Sequence, residues 1–114
     1  MAELKITTTT IGAKVVVTLK EALTYKNCEE LEKVFNKLVS QNKDKIIFDM
    51  KAVAFLDSMA LQLFLDMNDD LNSRGGSLQL FGLNSVCHDT FVATRLINIF
   101  HIYPDLQNVL RMEI

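Results

Sequence analysis

Leu4, Ile6 and Thr8 alternate with polar neighbours, the period of a half-buried strand. Ile11-Gly12-Ala13 interrupts the alternation, and Val15-Val16-Val17-Thr18-Leu19 resumes an extended run. The short glycine-bearing link predicts a hairpin, and the β-branched but polar stretch 7–10 suits its edge strand. Over residues 26–40 the period changes. Cys28, Leu31, Val34, Phe35, Leu38 and Val39 recur at helical spacing, with Glu29, Glu30, Lys33, Asn36 and Lys37 off that face. Thr24 or Asn27 is placed to cap this helix, and the dipole favours Glu29 and Glu30 in its first turn.

Ile46-Ile47-Phe48 does not alternate, which predicts a central strand covered on both faces. Asp49 closes it, and Ala52-Val53-Ala54-Phe55-Leu56 reads as an apolar, packed connection. A helix before this strand and another after it make a crossover unit with parallel strands. Over 58–71, Ala60, Leu63, Phe64, Met67 and Leu71 share one helical side, while Ser58, Gln62 and Asp69 fall opposite. Leu61 and Leu65 lie outside the main cluster and Met59 at its rim, so the apolar stripe is wider than core burial requires. Gly75-Gly76 ends the helix. Ser77-Leu78-Gln79-Leu80-Phe81 alternates as a strand, and Val86, Phe91, Val92 and Leu96 support a helix over 85–98. A brief strand over 99–103 and a helix over 105–111, with Leu106, Val109 and Leu110 inward, complete the chain. The expected architecture is α/β: a mixed four- to five-stranded sheet, N-terminal hairpin then parallel crossovers, with about four helices. No linker or repeat interrupts residues 1–114, which read as one domain.

Composition agrees with a packed domain: of 114 residues, 49% are hydrophobic and 23% charged. A net charge of -2, without a basic cluster, gives no electrostatic case for nucleic acid or an anionic membrane. The N-terminal stretch lacks the apolar core of a signal peptide, and no apolar run approaches a membrane span, so a cytoplasmic protein is expected. Cys28 and Cys87 form no C-x-x-C pair and read as reduced core thiols, a disulfide being the lesser alternative.

The chemistry concentrates between Ile46 and Leu65, where a buried strand delivers Asp57-Ser58 to the mouth of an apolar helix. A helix N-terminus tolerates negative charge. Yet no nucleophile–base set accompanies Ser58, and His88 and His101 lie in other elements, as surface or structural residues. The histidines and cysteines lack metal-ligand spacing. Gly75-Gly76 precedes a strand rather than a helix, so it is no phosphate cradle. No cofactor is expected. A response-regulator receiver also ends a strand in Asp, but the acidic pair it needs after the first strand is missing from the Thr7-Thr8-Thr9-Thr10 region.

The stretch from Asp49 to Leu65 resembles the STAS domain of the anti-sigma factor antagonists. That family carries a strand ending in Asp, a short linker, then Asp-Ser-Ser/Thr-Gly-Leu opening a helix. Here the residues are Ile46-Ile47-Phe48-Asp49-Met50 and Asp57-Ser58-Met59-Ala60-Leu61. Arg74-Gly75-Gly76 before a strand, and Leu96-Ile97-Asn98-Ile99-Phe100-His101-Ile102-Tyr103, similar to the family's Leu-x-x-(Ile/Val)-Phe-x-Ile-Tyr ending, extend the likeness over the chain. The resemblance implies a partner switch. The dephosphorylated antagonist binds an anti-sigma factor, often a serine kinase, and frees a sigma factor; phosphorylation blocks that binding and a phosphatase resets it. The usual acceptor position is Met59 here, which has no hydroxyl; the motif Gly is Ala60, and the Gly that commonly precedes the first helix is replaced by Lys20 or Glu21. Ser58 is then the one candidate phosphorylation site in the motif, or a simple helix-starting residue. Asp57, Ser58, Met59, Gln62 and Leu65 are the candidate partner-binding residues, with core or rim packing the alternative, and Asp57 a helix cap. The expectation is a monomer or weak dimer acting by binding. The competing reading inside the fold is a non-phosphorylated STAS subunit of a transporter ATPase complex or a stress-signalling scaffold.

Overall fold

A computed structural model describes residues 6–111. The expected hairpin pairs β1 (Ile6–Ile11) antiparallel with β2 (Lys14–Leu19), turning at Gly12, whose φ of +62° suits a residue without a Cβ. Leu4, assigned above to the first strand, lies outside the described residues. After α1 (Cys28–Ser40) comes β3 (Lys45–Asp49), then α2 (Ser58–Ser73), β4 (Ser77–Phe81), α3 (Ser85–Ala93), β5 (His101–Tyr103) and α4 (Leu106–Arg111). The sheet has five strands in the order β1-β2-β3-β4-β5, antiparallel at the hairpin and parallel from β2 onward.

The strand period of two sorts residues between two cores. Val15, Val17, Leu19, Ile46, Phe48, Leu78 and Leu80 join the larger one with Leu31 and Phe35 of α1, Phe64 and Met67 of α2, and Phe91 of α3. Phe48 meets Phe64 edge-on with ring centroids 5.0 Å apart, and Phe100 touches both Phe64 and Phe91. On the reverse face Val16, Ile47 and Phe81 pack under Val109 of α4. The non-alternating β3 is therefore buried on both sides, as its sequence indicates.

Several expectations change. The alternation read into β4 is not an in–out pattern, because all five of its residues are buried between the two layers. Gln79 faces the α4 side, is 0% exposed, and both its side-chain polar atoms lack a hydrogen-bond partner among the described residues. The helix expected over 85–98 stops at Ala93: Arg95 takes a left-handed φ of +65°, and Leu96–Asn98 form a separate 3-10 turn. Leu110 is exposed rather than inward, since a two-turn helix leaning on one layer of side chains buries only Val109 fully. Cys28 and Cys87 are buried free thiols, as expected.

The end of α2 shows why it carries two glycines. The Gly76 N–H donates to Leu71 O and the Gly75 N–H to Asn72 O, the paired bonds of a Schellman ending. Gly75 supplies the left-handed residue, φ +77°, in open space. Gly76 serves close approach instead, since a Cβ there would collide with the Asp44 carbonyl, the acceptor of the Ser77 N–H. Gly75→Ala is expected to cost about 1–2 kcal/mol of stability, and Gly76→Ala more than about 3 kcal/mol because backbone must move; urea denaturation of both variants checks the order. Gln79→Met conserves volume and removes the unmet amide, so the unfolding free energy should rise by about 1–3 kcal/mol, seen as a higher urea midpoint at unchanged m. An unchanged or lower midpoint would contradict the assignment of a stability cost to Gln79.

Candidate functional site

Strands β2 to β5 run parallel, so the segments that follow them gather at one end of the sheet, where open α/β sheets place binding sites. The segment after β3 lies in the middle of that end and is clamped from both sides. On one side Leu23 forms a parallel bridge with Leu56; its N–H donates to Phe55 O, and the Asp57 N–H donates to Leu23 O, both at 3.1 Å. On the other, the Asn84 side-chain amide donates to Val53 O and Ala54 O, each at 3.2 Å, and the Cys87 thiol to Val53 O at 3.3 Å.

Two helix caps do this stitching. Asp57 Oδ1 accepts the Ala60 N–H at 2.9 Å, capping α2, while its Oδ2 accepts the Tyr25 N–H at 2.7 Å in the loop before α1. Asn84 Oδ1 accepts the Cys87 N–H at 2.8 Å, capping α3, while its amide holds the β3–α2 segment. Asn27 sits at the N-cap of α1 but does not cap it; its Oδ1 accepts the Thr24 N–H and its amide donates to Ala22 O, shaping the loop that presents Tyr25.

Ser58 is exposed as the first residue of α2, as its helical position indicates. Met59 is 57% exposed and Gln62 lies on the same open surface, its amide donating to Asp66 at 3.0 Å. Leu65 is set apart: it is half-buried and packs against the main core. Leu61 is core as well. Asp57, Ser58, Met59 and Gln62 are thus brought to one surface, and Leu65 is turned toward the interior.

Two residues not singled out above complete this surface. Tyr25 is 62% exposed and Phe55 48% exposed. They flank one recess with Asp57, and Tyr25 shares a second recess with Met59. Phe55 lies in the connection expected to be packed, which is half right: Val53 and Leu56 are buried, whereas Ala52, Ala54 and Phe55 face out. All five residues of this connection are apolar, so the sequence alone does not say which point inward; the Leu23–Leu56 bridge and the hydrogen bonds from Asn84 and Cys87 to Val53 O fix that. For Tyr25 the sole signal is a large aromatic in an otherwise polar loop leading into a helix.

Other candidates fall away from this surface. The carboxylate of Asp49 accepts the Lys51 N–H at 3.0 Å and lies 3.8 Å from Lys51 Nζ, the part of a strand terminator. His88 and His101 are exposed on α3 and β5. Burial first, then the Asp57 and Glu32 carboxylates, push the Cys28 thiol up, and burial pushes up that of Cys87, so both are held protonated and poorly nucleophilic. Among the described residues no group of three or more His, Cys, Asp or Glu is placed to hold a metal ion, and no helix is long and apolar enough to cross a membrane.

Solved structures share this architecture. The Thermotoga maritima protein TM1081 is 20% identical, with a TM-score of 0.89 over 93% of this chain and 92% of its own. An anti-sigma factor antagonist from Mycobacterium paratuberculosis is also 20% identical, with a TM-score of 0.83 over 93% and 90%. The Bacillus cell fate determinant SpoIIAA, in its phosphorylated form, is 17% identical, with a TM-score of 0.73 over 95% and 99%. Among curated proteins none matches the chain in sequence. The STAS-domain family model matches residues 5–109, and the chain belongs to that family.

Proposed function

We propose that this domain is an anti-sigma factor antagonist: a cytoplasmic protein that acts by docking on an anti-sigma factor, itself a serine kinase, and so releases a sigma factor. The observation that carries this reading is the collar of exposed apolar side chains, Tyr25, Phe55 and Met59, around an exposed Ser58 at the start of α2. Contiguous exposed apolar surface marks association, and Met and Tyr suit partner contact. The similar SpoIIAA has been solved in a phosphorylated form, so a fold of this kind is compatible with a phosphate.

Ser58 is the acceptor on this reading, one residue before the family's usual position. The kinase transfers the γ-phosphoryl group of ATP to the Ser58 hydroxyl, leaving ADP, and a phosphatase hydrolyses the ester. A phosphate at the first position of α2 lies near the positive end of the helix dipole, so the domain accommodates it without refolding. The partner does not: about -1.5 to -2 charges would be buried among Phe55 and Met59, an uncompensated desolvation cost.

A second reading is favoured by Met59 itself. Where the family places its acceptor hydroxyl, this chain exposes a thioether. An apolar anchor there suits permanent docking, as in a non-switching subunit of a transporter ATPase complex or a signalling scaffold.

Affinity capture from the native cytosol, with the captured proteins identified by mass spectrometry, separates the readings. The switch predicts a kinase-like anti-sigma factor; a transporter ATPase or large scaffold supports the second reading. With that kinase and ATP, intact-mass measurement should show one phosphate on the wild type and none on Ser58→Ala, and equal modification of both would sink the Ser58 assignment. Met59→Asp is expected to weaken partner binding at least about tenfold while the folded spectrum is retained; unchanged affinity would remove the collar from the interface.

A further inference from the structure

Between α1 and α2, adjoining Met59, runs an open groove of about 400 Å³. Its apolar surface comes from Tyr25, Met59, Leu63 and the nearly buried Cys28; its polar surface comes from Gln62 and three carboxylates, Glu29 and Glu32 on α1 and Asp66 on α2. No lysine or arginine lines it. The net charge of the whole chain is -2, so three unit charges on one groove concentrate negative potential locally. These acids are only lightly engaged. Glu29 meets Lys33 at 3.5 Å in a solvent-exposed pair, Asp66 accepts from Gln62, and Glu32 makes no ion pair among the described residues.

We infer that this groove receives an arginine side chain of the protein that docks on the start of α2, an inference that rests on the docking reading above. The groove matches arginine part by part. Its apolar surface, from Met59 to Leu63, accepts the aliphatic stem. Tyr25, exposed at the edge of the groove, supplies an aromatic ring within reach of a guanidinium. Carboxylates from two different helices suit a planar fork of donors better than the compact ammonium of lysine. Continuity supplies the occupant: Met59 belongs both to the collar and to the groove, so a chain lying on Phe55 and Ser58 can reach the carboxylates of α1 without leaving the surface.

The test titrates blocked tripeptides Leu-Arg-Leu, Leu-Lys-Leu and Leu-Gln-Leu into the 15N-labelled protein at low salt. Expected are saturable amide shifts at Tyr25, Glu29, Glu32, Met59, Gln62 and Asp66, with the arginine peptide at least about tenfold tighter than the glutamine one, the lysine peptide between them, and loss of binding at high salt. The Glu32→Lys/Asp66→Lys variant, checked for a dispersed spectrum, should lose the shifts. Asp69→Lys, a single charge reversal on an exposed position of α2 outside the groove, should keep them. Equal binding of the arginine and glutamine peptides, equal binding of the arginine and lysine ones, shifts elsewhere, or a folded Glu32→Lys/Asp66→Lys protein that still binds overturns the proposal. If that variant will not fold, the milder Glu32→Gln protein decides by whether the arginine preference falls. Because the titration uses no partner, its failure leaves the Met59→Asp capture assay to judge the docking reading separately.

Discussion

Two helix caps with further hydrogen bonds organise the end of this domain that carries Ser58. A cap side chain ordinarily satisfies orphan amides of its own helix and goes no further. Here Asp57 also holds the loop before α1, and Asn84 also holds the segment before α2. Loops from β2, β3 and β4 therefore become one layer laid over the strand ends, and the start of α2 stands on it. Ser58 and Met59 owe their exposure to this layer. The turn beneath them is anchored on both flanks, so the helix mouth cannot sink into the core and cannot swing free of it.

The collar and the groove together put a physical condition on any switch at Ser58. The groove is negative, and on the inferred reading it attracts a cation. A phosphate placed nearby would strengthen that attraction instead of opposing it. Release must then come from the other half of the interface, where a dianion would have to be buried against Phe55 and Met59. Attraction by charge and exclusion by desolvation would act on the same partner at neighbouring points, and the balance between them depends on ionic strength, which screens the first far more than the second.

Much of the fold is legible in the chain because local signals and tertiary packing agree. Ile46-Ile47-Phe48 reads as a two-sided strand and is one, since a layer lies on each face. Gly75-Gly76 reads as a helix end and forms a Schellman turn. The failures fall where a tertiary partner decides. Nothing in the sequence around Leu96 announces that Arg95 turns left-handed and splits the predicted helix. Gln79 mimics the polar half of an alternating strand, yet α4 closes over it. Within the site, Asp57, Ser58 and Met59 are legible because the first turn of a capped helix always presents its leading residues. Leu65 follows Ser58 by two helical turns on nearly the same azimuth, so spacing does not separate it from them and only packing against the core does. Tyr25 and the carboxylates of α1 enter the site only through packing of α1 beside α2, which no local pattern encodes.

Strand direction also divides the molecule into two poles with different freedoms. The tip of the β1–β2 hairpin lies at the start of β2, beside the start of β3, and hence at the opposite end from the mouth of α2. Gly12 at that tip has nothing within 4 Å of where a Cβ would stand. Added chain at an exposed turn of this kind disturbs little of the hydrogen-bonded backbone. A fluorophore, a tether or an entire second domain could hang from the exposed Ala13 beside Gly12 and leave the collar clear, so the hairpin tip is a natural handle for watching this domain engage and release a partner one molecule at a time.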